Sequence, residues 1–265
     1  MPTPELMYST ALTEIGVPHA FTTRRGGFSV GVFDSLNFGN PGELPPEVAR
    51  DSKETIAKNF ELLARTIDAS DRRIVQVHQV HGDHVHVERD GADCGERIIW
   101  GDVKADAIVT DSADCLIAIR TADCTPILLS STDGRVVASV HAGWRGVISG
   151  VTLRAIDRMR ELGATRIIGA IGPCIGRDSF EVGSEVVEIF RSRFGDKAPV
   201  RTKADGKGFV DLKECLRLQI ESELEQLEIL PHCTVKERDL FFSHRRDGGV
   251  TGRMVGVIGC APRKV

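Results

Sequence analysis

The sequence predicts an α/β fold, one layered domain spanning residues 1–265 with a mixed β-sheet flanked by helices. Three observations support that expectation. Short apolar, β-rich runs are mixed with segments of helical periodicity, without the strict alternation of a doubly wound fold. A length of 265 residues, 41% of them hydrophobic and 27% charged, supplies a sizeable core. No low-complexity stretch, linker or long repeat divides the chain. The tripeptide Ala-Asp-Cys does recur, ending at Cys94, Cys115 and Cys124, but at no fixed period.

The first forty residues are rich in glycine and turn formers and read as short strands joined by tight loops. After Pro45-Pro46, residues 47–67 carry Ile56, Phe60 and Leu63 at helical spacing. Residues 74–81 and 84–88 are β-rich runs separated by Gly82-Asp83, the link of a tight hairpin. That register sets His81 across from His84, and Gln79 across from His86. Strands are expected at 106–110, 116–119, 127–130 and 136–140. Residues 147–162 form an amphipathic helix, stopped by Gly163. A strand at 166–171 is broken by the turn Gly172-Pro173-Cys174-Ile175-Gly176, and a helix at 183–194 is closed by Gly195. Asp211 with Glu214 is a capping pair for a helix running to about Gln226. A polar turn from Ser243 to Gly249 precedes a last strand at 254–258.

The charges, 34 basic against 38 acidic, leave a net −4 and no basic surplus. Nucleic acid and acidic membranes are therefore poor partners. No apolar run approaches a membrane span, and the N-terminus lacks the pattern of an export signal. Seven cysteines at irregular spacing then read as reduced thiols of a cytoplasmic protein.

Chemistry concentrates in two motifs that follow predicted strands, Thr121-Ala122-Asp123-Cys124-Thr125-Pro126 and His141-Ala142-Gly143-Trp144-Arg145-Gly146. Rigid strand ends with variable loops are where sites are built. His81, Cys124 and His141 could hold zinc by three ligands with the fourth position open. His81, His84 and His86 on one hairpin face form a local rival, more often a solvated face than a metal site. Without metal, Cys124 and His141 could act as a nucleophile–base dyad, oriented by Asp123 or another carboxylate. Thr125-Pro126 argues for a turn after Cys124. Trp144 reads as a core anchor. Arg145 can fork onto phosphate or carboxylate. The pairs Arg24-Arg25 and Arg245-Arg246 are further phosphate candidates, with solvated charge as the plain reading for at least two of these four. The remaining cysteines read as structural, with Cys174 left open.

The chain resembles the YfiH family, also called the laccase-domain or polyphenol oxidase family. The matching stretches include Phe21-Thr22-Thr23-Arg24-Arg25-Gly26-Gly27, Ser35-Leu36-Asn37-Phe38-Gly39, Gln79-Val80-His81-Gly82, Ala105-Asp106-Ala107 and the two motifs above. They continue with Gly172-Pro173-Cys174-Ile175-Gly176, Phe180-Glu181-Val182-Gly183 and Phe241-Phe242-Ser243-His244-Arg245-Arg246.

The resemblance implies an α/β fold like that of cysteine hydrolases and a zinc site of His81, Cys124 and His141, with His84, His86, Cys94 and Cys115 as bystanders. It also implies phosphorolysis of adenosine, inosine, guanosine and methylthioadenosine to base and pentose 1-phosphate, together with deamination of adenosine. Asp123, Cys124 and Arg145 are then the catalytic candidates, Asp123 as proton shuttle. Arg24, Asn37, Arg145 and Arg245 are the candidates for substrate or phosphate, acting in a monomer or homodimer. Two departures from the family pattern are His244, where tyrosine is common, and a more polar Ser112-Ala113-Asp114. Copper ranks below zinc: a multicopper oxidase also needs a three-copper cluster, and the eight histidines here are too few and too scattered.

Overall fold

Several of these strands are apolar on both faces, so they must lie between two other layers. The computed structural model, which describes residues 2–89 and 97–262, meets that demand with two sheets packed between helices. The first sheet runs in the order β1 (Leu6–Met7), β2 (His19–Thr22), β15 (Met254–Gly259), β7 (Cys115–Thr121), β3 (Arg73–Val75), β5 (Ile98–Ile99). The second runs β14 (Gln226–Ile229), β10 (Ile167–Ile171), β8 (Thr125–Ser131), β9 (Val137–Ala142), β6 (Ala107–Thr110), β4 (Val85–Glu88). Both mix parallel and antiparallel pairs, as β3 and β15 on either side of β7 show. A small third sheet joins β11 (Glu181–Val182), β13 (Gly208–Val210) and β12 (Val200–Thr202). The helices are α1 (Thr10–Glu14), α2 (Lys53–Thr66), α3 (Trp144–Ser149), α4 (Val151–Glu161), α5 (Ser184–Phe194) and α6 (Leu212–Ile220).

Period-two alternation assigns each strand residue to a layer. Leu116 and Ala118 of β7 turn outward to meet Ile56, Phe60 and Leu63 of α2. Ile117 turns inward with Phe21 and Ile258, against Leu128, Val137 and Ile168 of the second sheet. On the far side Ile127, Leu129 and Val140 pack against Ile156 and Met159 of α4 and Leu216 of α6. Polar ties also cross the inter-sheet core: the Ser139 hydroxyl donates to the Gly256 carbonyl at 3.0 Å, and Thr110 Oγ1 lies 3.8 Å from Cys115 Sγ.

The α/β class with mixed sheets and flanking helices is as predicted; several local expectations are not. The predicted hairpin is absent: β3 belongs to the first sheet and β4 to the second, so Gly82-Asp83 lies in a connection between layers. His81 therefore does not face His84, and Gln79 instead brackets the Arg120 backbone, donating to its carbonyl at 2.7 Å and accepting its N–H at 2.9 Å. Thr125-Pro126 begins β8 and pairs with Ala142 and His141; the turn falls one residue before Cys124, at Asp123, whose φ is 88°. The helix expected at 147–162 is two helices, parted at Gly150 with φ 79°. The one expected from 47 begins at Lys53, where the Ser52 hydroxyl accepts the Thr55 N–H. The helix expected to reach Gln226 stops at Ile220, and Gln226–Ile229 pairs in parallel with β10. Helix-forming Glu, Gln and Leu gave that segment its helical look, and the open edge of β10 overrode them.

Candidate functional site

Three connections converge at the ends of β7, β8 and β9. The chain leaving β7 turns through Ala122-Asp123-Cys124 into β8, β9 delivers His141, and the β3–β4 connection delivers His81. One donor atom from each of His81, Cys124 and His141 lies within 4.8 Å of the other two. The imidazoles stand nearly perpendicular, at 76° with centroids 4.9 Å apart. Gly143 keeps this space free: a Cβ there would stand 3.0 Å from His81 Cδ2 and 3.1 Å from Cys124 Sγ.

Both imidazole-bearing segments are set by Asp106, a fully buried residue just before β6. Its Oδ1 accepts from His141 Nδ1 and from the His81 N–H, both at 2.8 Å. Its Oδ2 accepts the Gly82 N–H at 2.6 Å and the Val80 N–H at 3.2 Å. One carboxylate thus orients one imidazole and holds the backbone that carries the other, with His81 at φ 60° in the left-handed region. Burial works against the charge on Asp106, but the bonds from His141, Gly82 and His81 hold its pKa below the usual carboxylate range.

Burial alone would raise the Cys124 thiol, yet His141 and His81 bring it down to about 6. Burial would likewise lower His141, yet Cys124 and Asp106 raise it to about 9. Each member of the pair thus favours the charged form of the other.

The same residues fit a metal. Tetrahedral zinc, with bonds of about 2.0–2.3 Å, places its ligands roughly 3.3–3.8 Å apart, a small closure from the spacing here. A ligand imidazole whose other nitrogen binds a carboxylate is the usual second support of such sites, and His141 has it. Among the described residues this is the one group of three or more side chains that could hold an ion. His84 and His86 stand apart from it, and His86 pairs with Glu88 at 3.1 Å. Cys94 lies outside the described residues. Cys174 is buried, and burial raises its thiol to about 11.

The triad opens into a cavity of about 630 Å³, with Trp144, Ile175, Phe180 and Leu212 as its apolar wall. Trp144 thus does more than anchor the core: it packs on the apolar cluster and also lines the cavity. Arg145 and Arg245 line it as well, both exposed. The Arg145 guanidinium lies 4.3 Å from the Trp144 ring centroid, and Arg245 donates to the Glu181 carbonyl at 2.9 Å.

Two other candidates are not brought to the cavity lining. Arg24 donates to the Asp34 carbonyl at 2.8 Å and lies over the Phe242 ring. Asn37 is buried, donating to Asp51 and accepting the N–H groups of Gly39 and Arg253.

Asp123 does line the cavity, but its carboxylate is engaged by three donors. They are the Thr234 hydroxyl at 2.5 Å, the Ser243 hydroxyl at 3.0 Å and the Arg245 N–H at 2.7 Å. Sequence reasoning missed Asp106, Arg120 and Arg253. The signals were slight: an Asp just ahead of a strand, and an arginine at the end of each of two apolar runs.

Residues 18–261 match the family described as multi-copper polyphenol oxidoreductase laccase. Over 255 residues the chain is 35% identical to a purine nucleoside phosphorylase of Deinococcus radiodurans, covering 94% of this chain and 92% of that one. The crystal structure of YlmD from Geobacillus stearothermophilus is similar at a TM-score of 0.80 and 32% identity, over 96% of this chain and 94% of that one. YfiH from Bacillus licheniformis gives a TM-score of 0.83 at 30% identity, over 98% and 97%.

Proposed function

The chain belongs to the laccase-domain (YfiH) family, and on that premise we propose that it is a zinc-dependent purine nucleoside phosphorylase that also deaminates adenosine. The observation that carries this reading is the His81–Cys124–His141 cluster opening into a cavity of about 630 Å³ with an apolar wall that includes Trp144 and Phe180. That volume falls within the range of small-ligand pockets, and Trp144 and Phe180 suit the face of a purine. Adenosine, inosine, guanosine and methylthioadenosine are the proposed substrates, handled in the cytoplasm. Zinc held by His81, Cys124 and His141 supplies Lewis acidity toward the cavity. Asp106 fixes the tautomer and direction of His141 and holds the His81 backbone. Asp123, with both oxygens occupied, fastens the Cys124 loop to the C-terminal segment and leaves the proton-shuttle role unfilled. Arg145 and Arg245 sit at the rim, where they can meet the incoming substrate.

Copper oxidase chemistry ranks low, since the described residues gather one three-residue group and not the cluster of imidazoles a multicopper oxidase needs.

One observation favours a second reading. The Cys124 thiol near 6, beside His141 bonded to Asp106, is the arrangement of a cysteine hydrolase acting on an amide, such as a cell-wall precursor. Chromatography after incubation with adenosine, with and without phosphate and a chelator, separates the two. Adenine formed only with phosphate, and inosine formed in both conditions, supports the proposal; silencing by the chelator assigns both activities to the metal. Neither product from zinc-loaded protein refutes it and leaves the hydrolase.

A further inference from the structure

Arg120, near the end of β7, and Arg253, just before β15, both line the cavity and are half-buried. They are close neighbours. A Cβ built on Gly39 would lie 3.1 Å from Arg120 Cδ, 3.3 Å from its Nη1 and 3.7 Å from Arg253 Cγ. Burial lowers the pKa of both; for Arg253 the charge of Arg120 adds to the effect, while Cys124 and Asp123 work against it.

Among the described residues neither guanidinium has a carboxylate within ion-pair distance. Arg120 donates through Nη2 to the Val77 carbonyl at 3.3 Å. Arg253 donates through Nη1 to the carbonyls of Thr251 and Gly252, at 3.0 and 2.9 Å. The Nε and Nη1 groups of Arg120, and the Nε and Nη2 groups of Arg253, meet no protein acceptor among the described residues. Arg246 shows the ordinary arrangement of a buried arginine, with the Asp247 carboxylate at 2.8 Å. Two adjacent, half-buried guanidiniums with donors to spare and no carboxylate in contact, Asp123 and Cys124 acting on Arg253 only through space, make a place that an anion can complete.

We propose that Arg120 and Arg253 form the phosphate subsite of this cavity, a clamp for a tetrahedral oxyanion. The proposal rests on the phosphorolysis reading. In that reaction an oxygen of hydrogenphosphate forms a bond to C1′ of the pentose as the C1′–N9 bond breaks. The electron pair leaves on N9, and the proton given up by hydrogenphosphate ends on the purine. The clamp holds the nucleophile before the transfer and the 1-phosphate after it. Planar guanidiniums match phosphate geometry, and partial burial strengthens each bond. Arg145 and Arg245, exposed and screened, remain rim residues. Asn37 acts as a positioning residue, because its Oδ1 accepts the N–H groups of both Arg253 and Gly39.

The test is steady-state phosphorolysis of inosine by zinc-loaded protein, varying phosphate and nucleoside independently, for wild type, Arg120→Gln, Arg253→Gln and Arg253→Lys. Alongside it, the thermal midpoint is titrated with phosphate alone. Each Gln variant is expected to raise KM for phosphate about ten- to hundredfold and to abolish the midpoint shift. KM for inosine should stay within about twofold, and Lys should recover part of the loss. A folded Gln variant with unchanged KM for phosphate overturns the proposal. Should the Gln variants fail to fold, phenylglyoxal labelling of wild type decides: phosphate must slow modification of Arg120 and Arg253 but not of Arg24, and equal rates overturn the clamp. Wild type that takes up phosphate through these two arginines but does not phosphorolyse keeps the subsite and refutes the nucleoside reading. Phosphorolysis indifferent to both substitutions does the reverse.

Discussion

Replacing Asp106 by Asn tests the organisation of the site with almost no change of shape. The carboxylate accepts four hydrogen bonds, two on each oxygen: His81 N–H and His141 on Oδ1, Val80 N–H and Gly82 N–H on Oδ2. An amide offers one oxygen, so either rotamer turns its NH2 toward two groups that also donate. Two bonds to a buried charged acceptor, at about 1.5–3 kcal/mol each, predict a loss of roughly 3–6 kcal/mol. That is a large part of the about 5–15 kcal/mol available to a typical protein. Zinc affinity should fall about 10–100-fold, because the His141 tautomer is no longer enforced and the His81 loop is released. Urea unfolding of metal-free protein measures the first effect, and competition with a chromophoric chelator measures the second. A variant within about 1 kcal/mol of wild type that holds zinc equally well would show that Asp106 fills space and orients nothing.

Gly143→Ala should weaken zinc binding at least tenfold, since its methyl would stand 3.0–3.1 Å from two ligand side chains; unchanged affinity in the same chelator assay would count against the crowding. Phe60→Ala should cost about 3–5 kcal/mol, because the ring is fully buried between α2 and the first sheet against Phe38; a loss below about 1 kcal/mol would reject that layer. His19 is held neutral, chiefly by burial, with Nε2 accepting the Ser9 N–H and Nδ1 facing the Val17 carbonyl. Its folded pKa lies below the unfolded value of about 6.5, so its share of stability is intact above that pH and lost as pH falls toward the folded value. His19→Phe should flatten that part of the pH–stability curve, and an unaltered slope would exclude His19 as its source.

The layers were legible because apolar runs such as 116–119 and 127–130 have only one way to be buried on both faces. That His81, Cys124 and His141 could form one set was legible from the motifs, and resemblance singled it out from the rival His81, His84 and His86; the structure brings the three side chains together. What stayed hidden depends on contacts between distant segments. Gly82-Asp83 looked like a hairpin because nothing local shows that the flanking runs join different sheets. Asp106 gave no sign of four donors arriving from two other segments. Arg120 and Arg253 are 133 positions apart and meet only through the pairing of β7 with β15. Pairing also decided the fate of residues 226–229, whose composition favours a helix.

Asp123 is bonded to Thr234, Ser243 and the backbone of Arg245, and β15 lies between β2 and β7 in the middle of the first sheet. This has a consequence for the order of events during synthesis. Domains gain structure from the N-terminus as the chain emerges. Here His81, Cys124 and His141 are all made long before the segments that fasten the Cys124 loop and complete its sheet. Fastening of the Cys124 loop therefore waits until residues 234–259 have been made. A chain stalled before residue 254 would carry His81, Cys124 and His141 without the strand that sits between β2 and β7.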